Sequence, residues 1–222
     1  MEYTFQFGEV FADYPELLSG AALTLYLSLG AMAIGLVVGT LGALALDSGG
    51  RILRGAVRAY VEAIRNTPFL VQLFMVFFAL PEIGIGLTGN QAALVAMSLN
   101  LGAYATEIIR AGAEGVGQGQ IEAARALGLR PLQIFRRIIL FQALRSVYPP
   151  LCSQFVLIML ASAVVSAVAA EELSGVANNI QARTFRSFEI YIVVTGMYLV
   201  MTLAVQAVLG LIGRLAFSGR GR

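Results

Sequence analysis

The sequence predicts an all-α integral membrane protein with five transmembrane helices, an external N-terminus and a cytoplasmic C-terminus. Of its 222 residues, 58% are hydrophobic and only 13% are charged, and the mean hydropathy is +0.80. Soluble domains are about 45–50% apolar and about 25% charged. Two further observations specify the architecture, namely five long apolar segments and an uneven distribution of arginines.

The apolar segments cover residues 17–46, 60–80, 91–109, 151–170 and 188–215. Each reaches about the 20 residues that a helix needs to cross a bilayer, and the first and fifth are longer. We expect helices because unpaired backbone amides cannot face lipid, and the short alternating strands of a barrel are absent from the sequence. The first segment is too long for a signal-peptide core and follows acidic residues, so we expect an uncleaved anchor.

The arginines predict the orientation, since every one of the 15 basic residues is arginine. Four flank the connection between the first and second segments, six lie between the third and fourth, and three lie at or beyond the end of the fifth. The other two, Arg183 and Arg186, lie between the last two segments, and the N-terminal segment carries only acidic charges. The positive-inside rule therefore places the N-terminus outside and the C-terminus in the cytoplasm.

The chain has few residues for cofactor chemistry. It contains no histidine and one cysteine, Cys152, so we expect no metal site and no disulfide within the chain. It also has no GxxxxGK[ST] phosphate loop, so we expect no ATP hydrolysis by this chain alone. We expect the lipid bilayer to surround it and expect no nucleic acid as a partner.

The polar loop at about residues 111–145 is predicted to face the cytoplasm. A short helix over about residues 120–127 is indicated by apolar residues that recur every three positions. Gly128 is suited to end that helix, and Pro131 to begin the next. A tight interfacial turn between two spans remains the alternative to a helix that docks on another protein.

Four segments resemble one known family. The stretch "EAARALG", with Glu122, Ala123, Ala124 and Gly128, resembles the EAA loop of ABC importer permeases. Three more stretches resemble the polar amino acid branch of the type I importers: "YVEAIRNTPFLVQLF" (60–74), "SLNLGAYATEIIRAG" (98–112) and "TFRSFEIYIVV" (184–194). The likeness covers about residues 20–215, so residues 1–222 are interpreted as a single transmembrane domain.

The resemblance implies a machine in the bacterial cytoplasmic membrane. It would combine two permeases, identical or homologous, with two ATPases that use ATP and magnesium and an extracytoplasmic substrate-binding protein. The EAA helix would be the coupling helix, in which Glu122 accepts charged hydrogen bonds from the ATPase. Ala123 and Ala124 would permit close approach, and Gly128 would supply a positive φ.

Two departures from the family pattern affect these expectations. Phe141 stands where the family usually has proline, which favours a straighter helix there, with Pro149 and Pro150 available to provide the bend. Residues 160–163 of the fourth segment are uncharged where relatives often carry charge. Either the partner permease holds a counter-charge, or the substrate side chain is uncharged, or this half binds no substrate.

Three polar residues are predicted near the middle of the membrane: Gln72, Asn100 and Ser162. Such groups are costly in lipid unless they serve a pathway or bond to another helix. Contact with the substrate's amino and carboxylate groups and hydrogen bonding between helices both remain open.

Charged residues near the cytoplasmic ends form two pairs spaced by three, Glu62 with Arg65 and Glu107 with Arg110. Each pair is able to meet on one helix face, as a structural or gate-side ion pair. Outside, we expect Glu171 and Glu172 to pair with the arginines of the same loop, with the binding protein as the alternative partner.

Two other functions are less consistent with the sequence. An ion-gradient-driven secondary transporter favours carboxylates at mid-depth and an internal repeat, whereas the mid-depth groups here are neutral and five spans do not halve. An enzyme within the membrane needs paired aspartates, histidine or a metal cluster. The sequence therefore predicts a transport subunit rather than an enzyme.

Overall fold

A computed structural model describes residues 4–115 and 117–217, which form helices and no strand. In chain order the helices are α1 (Phe7–Ala12), α2 (Tyr14–Ser48), α3 (Arg51–Arg65), α4 (Phe69–Phe74), α5 (Leu80–Glu82), α6 (Gly89–Glu114), α7 (Gln118–Ala126), α8 (Pro131–Ile134), α9 (Leu140–Ala161), α10 (Leu173–Thr184) and α11 (Ser187–Phe217). Two π-helical stretches, Met75–Ala79 and Phe135–Ile139, join α4 to α5 and α8 to α9, and the 3-10 segment Ser162–Val168 extends α9.

Four helices are long and apolar enough to cross a membrane: α2, α6, α9 with its extension, and α11. A fifth crossing is obtained when α3 and the segment Phe69–Glu82 are counted as one span, bent by 116°. This agrees with the predicted five spans but not with a straight helix over residues 60–80. The break precedes Pro68, because proline lacks an N–H and disfavours helical geometry in the residue before it.

Helices α2 and α6 pack backbone against backbone. A Cβ atom added to Gly39 would lie 2.4 Å from the Ala105 Cβ and 3.0 Å from the Ala105 carbonyl carbon. Gly35 and Gly42 lie on the same face of α2. A Cβ added to either would lie less than 3 Å from the side chain of Leu101 or Thr106, respectively. This Gly-xxx-Gly contact allows the close approach that drives helix association where lipid removes the hydrophobic force between helices.

The helices differ strongly in burial within the subunit. In the most apolar window of α6, 61% of residues are buried, against 6% in the corresponding window of α11. Leu101 and Met97 of α6 are fully buried in the core cluster. α6 is therefore the central helix, and α11 presents an apolar surface outward.

The chain enters the fourth span through an uninterrupted run of helical backbone. The backbone is helical from α8 through the π-helical stretch into α9, and Phe141 lies in the first turn of α9 against the Phe217 ring, with centroids 5.8 Å apart. Pro149 and Pro150 lie inside α9, which continues through them. The helical path that Phe141 permits is therefore continuous in hydrogen bonding, and no helix break is found at the two prolines.

Candidate functional site

The predicted cytoplasmic helix is α7, and most of its described side chains are exposed. Glu122 and Ala123 are exposed, whereas Ala124 is only 3% exposed and packs against the protein. Leu127, just after the helix, is 80% exposed. The helix therefore presents the Glu122 carboxylate, the Arg125 guanidinium and small or apolar side chains on a surface that the described residues leave uncovered.

Gly128 ends α7 in a left-handed turn. Its φ is +73°, which confirms the predicted positive value. The Leu129 N–H donates to the Ala124 carbonyl oxygen at 3.1 Å, and the Gly128 N–H donates to the Arg125 carbonyl oxygen at 2.9 Å. These two bonds define a Schellman motif, in which glycine is favoured because it has no Cβ to clash.

α7 is tied directly to the helix that leads into the fourth span. The Gln142 side-chain amide of α9 donates to the Gln120 Oε1 of α7 at 2.6 Å. At the start of α8, the Arg130 N–H donates to the Gln133 Oε1 at 2.8 Å, which caps the next helix. A displacement of α7 would therefore act on α8 and α9 through a short, capped connection.

Gln72 and Asn100 lie together in the interior. The Asn100 Nδ2 donates to the Gln72 Oε1 at 2.9 Å. The Gln72 Nε2 in turn donates to the carbonyl oxygens of Ile64 and Thr67, at 2.7 and 2.9 Å. These carbonyls flank the break before Pro68, so Gln72 satisfies backbone groups that a continuous helix would have paired.

Ser162 is not part of that pair. It is fully buried, and its hydroxyl donates to the Met159 carbonyl oxygen at 2.7 Å, one turn earlier in the same span. The structure thus brings together two of the three predicted mid-depth residues.

A charged cluster lies where α3 meets the end of α6. Arg110 pairs with Glu107 at 3.0 Å, as their spacing predicts, and with Glu114 at 2.7 Å. Within the described part of the chain, Glu62 and Arg65 do not pair with each other. The Arg65 guanidinium instead lies 3.6 Å from the Glu107 carboxylate. The spacing predicted that Arg65 pairs with Glu62 on the same helix. In the structure Arg65 of α3 pairs with Glu107 of α6 instead.

This cluster lines a cleft of about 410 Å³ that also includes Arg58 and Leu46. Arg65 additionally lies over the Tyr104 ring, with its guanidinium carbon 5.6 Å from the ring centroid. Within residues 4–115 and 117–217, no three His, Cys, Asp or Glu side chains group so as to hold a metal ion.

At the opposite end of the spans, Glu172 is fully buried as the N-cap of α10. Its carboxylate accepts hydrogen bonds from the Gly175 N–H at 2.9 Å, the Thr24 hydroxyl at 3.3 Å and the Tyr198 hydroxyl at 2.7 Å. One carboxylate thus joins α2, α10 and α11. The expectation that Glu172 pairs with an arginine of its own loop is wrong.

Those arginines bind the N-terminal segment instead. Arg183 pairs with Glu16 at 2.8 Å and with Asp13 at 3.3 Å, and Arg186 pairs with Glu9 at 3.1 Å. The Arg183 guanidinium donates to the Glu16 carboxylate, and this hydrogen bond raises the pKa of Arg183 above its usual value. Residues far apart in sequence are thereby joined at one end of the spans, opposite the arginine-rich loop at about residues 111–145.

The sequence reasoning missed two features of these regions. The glycines that face α6 were signalled by the spacing of Gly35 and Gly39, a Gly-xxx-Gly pattern. The burial of Glu172 had no comparable signal, because its partners Thr24 and Tyr198 lie on other helices.

Comparison with known proteins identifies a family and several relatives. The family described as "Binding-protein-dependent transport system inner membrane component" matches residues 31–217. The chain is 34% identical over 207 residues to the nopaline transport system permease protein of Agrobacterium fabrum, covering 89% of this chain and 86% of the relative. It is also 34% identical to the glutamine transport system permease protein of Escherichia coli K12 (92% and 94% covered) and 37% identical to a probable glutamine ABC transporter permease of Bacillus subtilis (87% and 90%).

Solved structures agree with the fold. A crystal structure of an amino acid ABC transporter with histidines superposes with a TM-score of 0.88 at 36% identity, covering 96% of this chain and 99% of that one. The inward-facing methionine transporter MetNI matches with a TM-score of 0.67 at 22% identity and supports the fold alone.

Proposed function

The chain belongs to the binding-protein-dependent transport system inner membrane component family, and from this premise we propose that it carries a polar amino acid, or a close derivative, inward. It is the membrane-spanning permease subunit of an ATP-driven importer. Relatives named for glutamine and nopaline support this substrate class. The alternative of an ion-gradient-driven transporter has no support from the comparisons.

The proposed assembly contains two permeases, two ATPases and an extracytoplasmic binding protein in the bacterial cytoplasmic membrane. ATP and magnesium would be held by the ATPases, and this chain, as a single transmembrane domain, would carry out no chemistry of its own. The positive-inside rule places α7 and the arginine-rich loop on the ATPase side. The arginines paired with N-terminal acids would then lie on the binding-protein side.

The observation that carries the proposal is the exposed, capped helix α7. Glu122 projects into solvent, where basic side chains of the ATPase would bond to it. Ala123 would allow close contact, buried Ala124 would anchor the helix, and Gly128 would hold its end. Closure of the ATPases would move α7 and, through the Gln120–Gln142 bond, the fourth span.

We assign the Gln72–Asn100 pair to the wall of the substrate pathway, at the bend of the second span. Because Gln72 already serves the broken backbone, Asn100 is the better candidate for contact with substrate. Ser162 is assigned a structural role. The Arg65–Glu107–Arg110 cluster would hold the bent span at the cytoplasmic gate.

Purification of the tagged chain from its native membrane in mild detergent, followed by mass spectrometry, tests the proposal. We expect a P-loop ATPase at near one-to-one stoichiometry, and the same experiment identifies the second permease. Reconstituted with its binding protein, the complex should take up an amino acid when ATP is supplied. A chain that purifies alone and moves solute without ATP would contradict the proposal.

A further inference from the structure

A polar cavity of about 250 Å³ opens where α9's extension meets α10. Its lining includes Ser166, Glu171, Gly175, Asn178 and Asn179. Sites for drug-sized ligands measure about 300–1,000 Å³, so this cavity suits a smaller molecule such as one amino acid.

The cavity is shaped by backbone that approaches closely. Ala169 has a φ of 57°, which turns the chain sharply before α10. A Cβ on Gly175 would lie 2.4 Å from the Ala170 carbonyl oxygen, so the floor exists only because residue 175 has no side chain. Buried Glu172 accepts the Gly175 N–H and is itself held by Tyr198, which fixes this floor to α11.

The charges around the cavity leave one carboxylate for a ligand. Arg183 and Arg186 are engaged by N-terminal acids. Glu172 is buried and fully hydrogen-bonded, whereas Glu171 is exposed at the cavity and forms no ion pair within the described residues.

The amides at the cavity are suited to donate. The Asn178 Oδ1 accepts from the Tyr191 hydroxyl at 2.6 Å, which leaves the Asn178 NH₂ as the free end of that amide. Asn179 is exposed beside it. The cavity thus combines one carboxylate, which accepts hydrogen bonds, with two amides, which donate them. These groups match the ammonium and the carboxylate of a zwitterion.

We propose that this cavity is an outer receiving subsite for the α-amino acid released by the binding protein. Glu171 binds the α-ammonium, and Asn178 and Asn179 donate to the α-carboxylate. The subsite lies at the binding-protein end of the spans, apart from the Gln72–Asn100 pair. This inference rests on the proposed import function and names where the substrate first meets the permease.

The test is equilibrium binding of radiolabelled L-glutamine and L-histidine to the purified permease–ATPase complex without binding protein. For Glu171→Gln we expect binding at least tenfold weaker. Wild type should prefer L-glutamine to N-acetyl-L-glutamine, which lacks the ammonium, and Glu171→Gln should lose that preference. Asn179→Leu should weaken binding of both forms. Glu82→Gln, which changes an exposed acid at the end of α5, is the control and should bind normally.

Uptake and docking assays separate the possible failures. Normal uptake with unchanged discrimination in Glu171→Gln would overturn the subsite and leave the import function standing. Unaltered direct binding with lost capture of the binding protein would make Glu171 a docking contact, which also overturns it. Failure of the wild-type complex to import either amino acid would count against both the proposed substrate class and the subsite.

Discussion

The α2–α6 contact and helix α7 use their residues in opposite ways. Along α2 and α6, glycines and alanines bring two backbones together, and the contact is complete within this one chain. Along α7 only Ala124 is buried among the residues whose side chains are described, and Glu122 and Leu127 face solvent. The α2–α6 contact therefore stabilises this subunit, whereas the described residues leave most of α7 exposed, as its proposed docking on an ATPase requires. Substitutions in each should therefore affect different measurements.

The largest effect should come from reversing the charge on α7. We expect Glu122→Arg to lower ATP-driven uptake in proteoliposomes more than tenfold, since like charges would face each other across the ATPase contact. The melting temperature of the isolated subunit should not change. Asp47→Arg, which reverses another exposed acid in the last turn of α2, is the matched control and should leave uptake nearly normal. Wild-type uptake in Glu122→Arg would show that α7 is an interfacial turn only.

Breaking the α2–α6 contact should have the reverse signature. Gly39→Ala adds a Cβ 2.4 Å from the Ala105 Cβ, and overpacking of this kind costs about 1–3 kcal/mol. We expect a lower melting temperature in detergent, with uptake reduced only in proportion to the folded protein. Gly196→Ala is the control, because nothing lies within 4 Å of a Cβ there and alanine favours the helix. Equal stability of the two variants would contradict the close contact.

The smallest effect should come from the cap of α7. Gly128→Ala meets no neighbouring atom, so its penalty is the left-handed backbone alone, about 1–2 kcal/mol. Because that penalty falls on a short exposed helix, we expect hydrogen exchange in residues 118–129 to increase and coupled uptake to fall a few-fold. Global stability should change little. Gly119→Ala, inside the same helix and equally unhindered, should slow exchange instead.

Local features of this protein were predictable because they depend on neighbours in the chain. The number of spans follows from apolar length, and helix α7 from a three-residue spacing with a glycine after it. The break before Pro68 also had a local signal, although residues 60–80 were predicted as one helix. That prediction followed the long apolar run and overlooked Pro68, although proline strongly disfavours helical geometry in the residue before it.

By itself the sequence determined the membrane class, the five crossings and the helix that ends at Gly128, since composition, segment length and turn chemistry act over a few residues. Only the tertiary structure decided which polar groups meet. In it Asn100 bonds to Gln72, and Arg65 bonds to Glu107 rather than to Glu62. Arg183 bonds to Glu16 and Asp13, which lie 167 and 170 positions away in the sequence. Such hydrogen bonds and ion pairs require atoms within about 3–4 Å, and that distance is set by how whole helices pack, which no sequence period encodes.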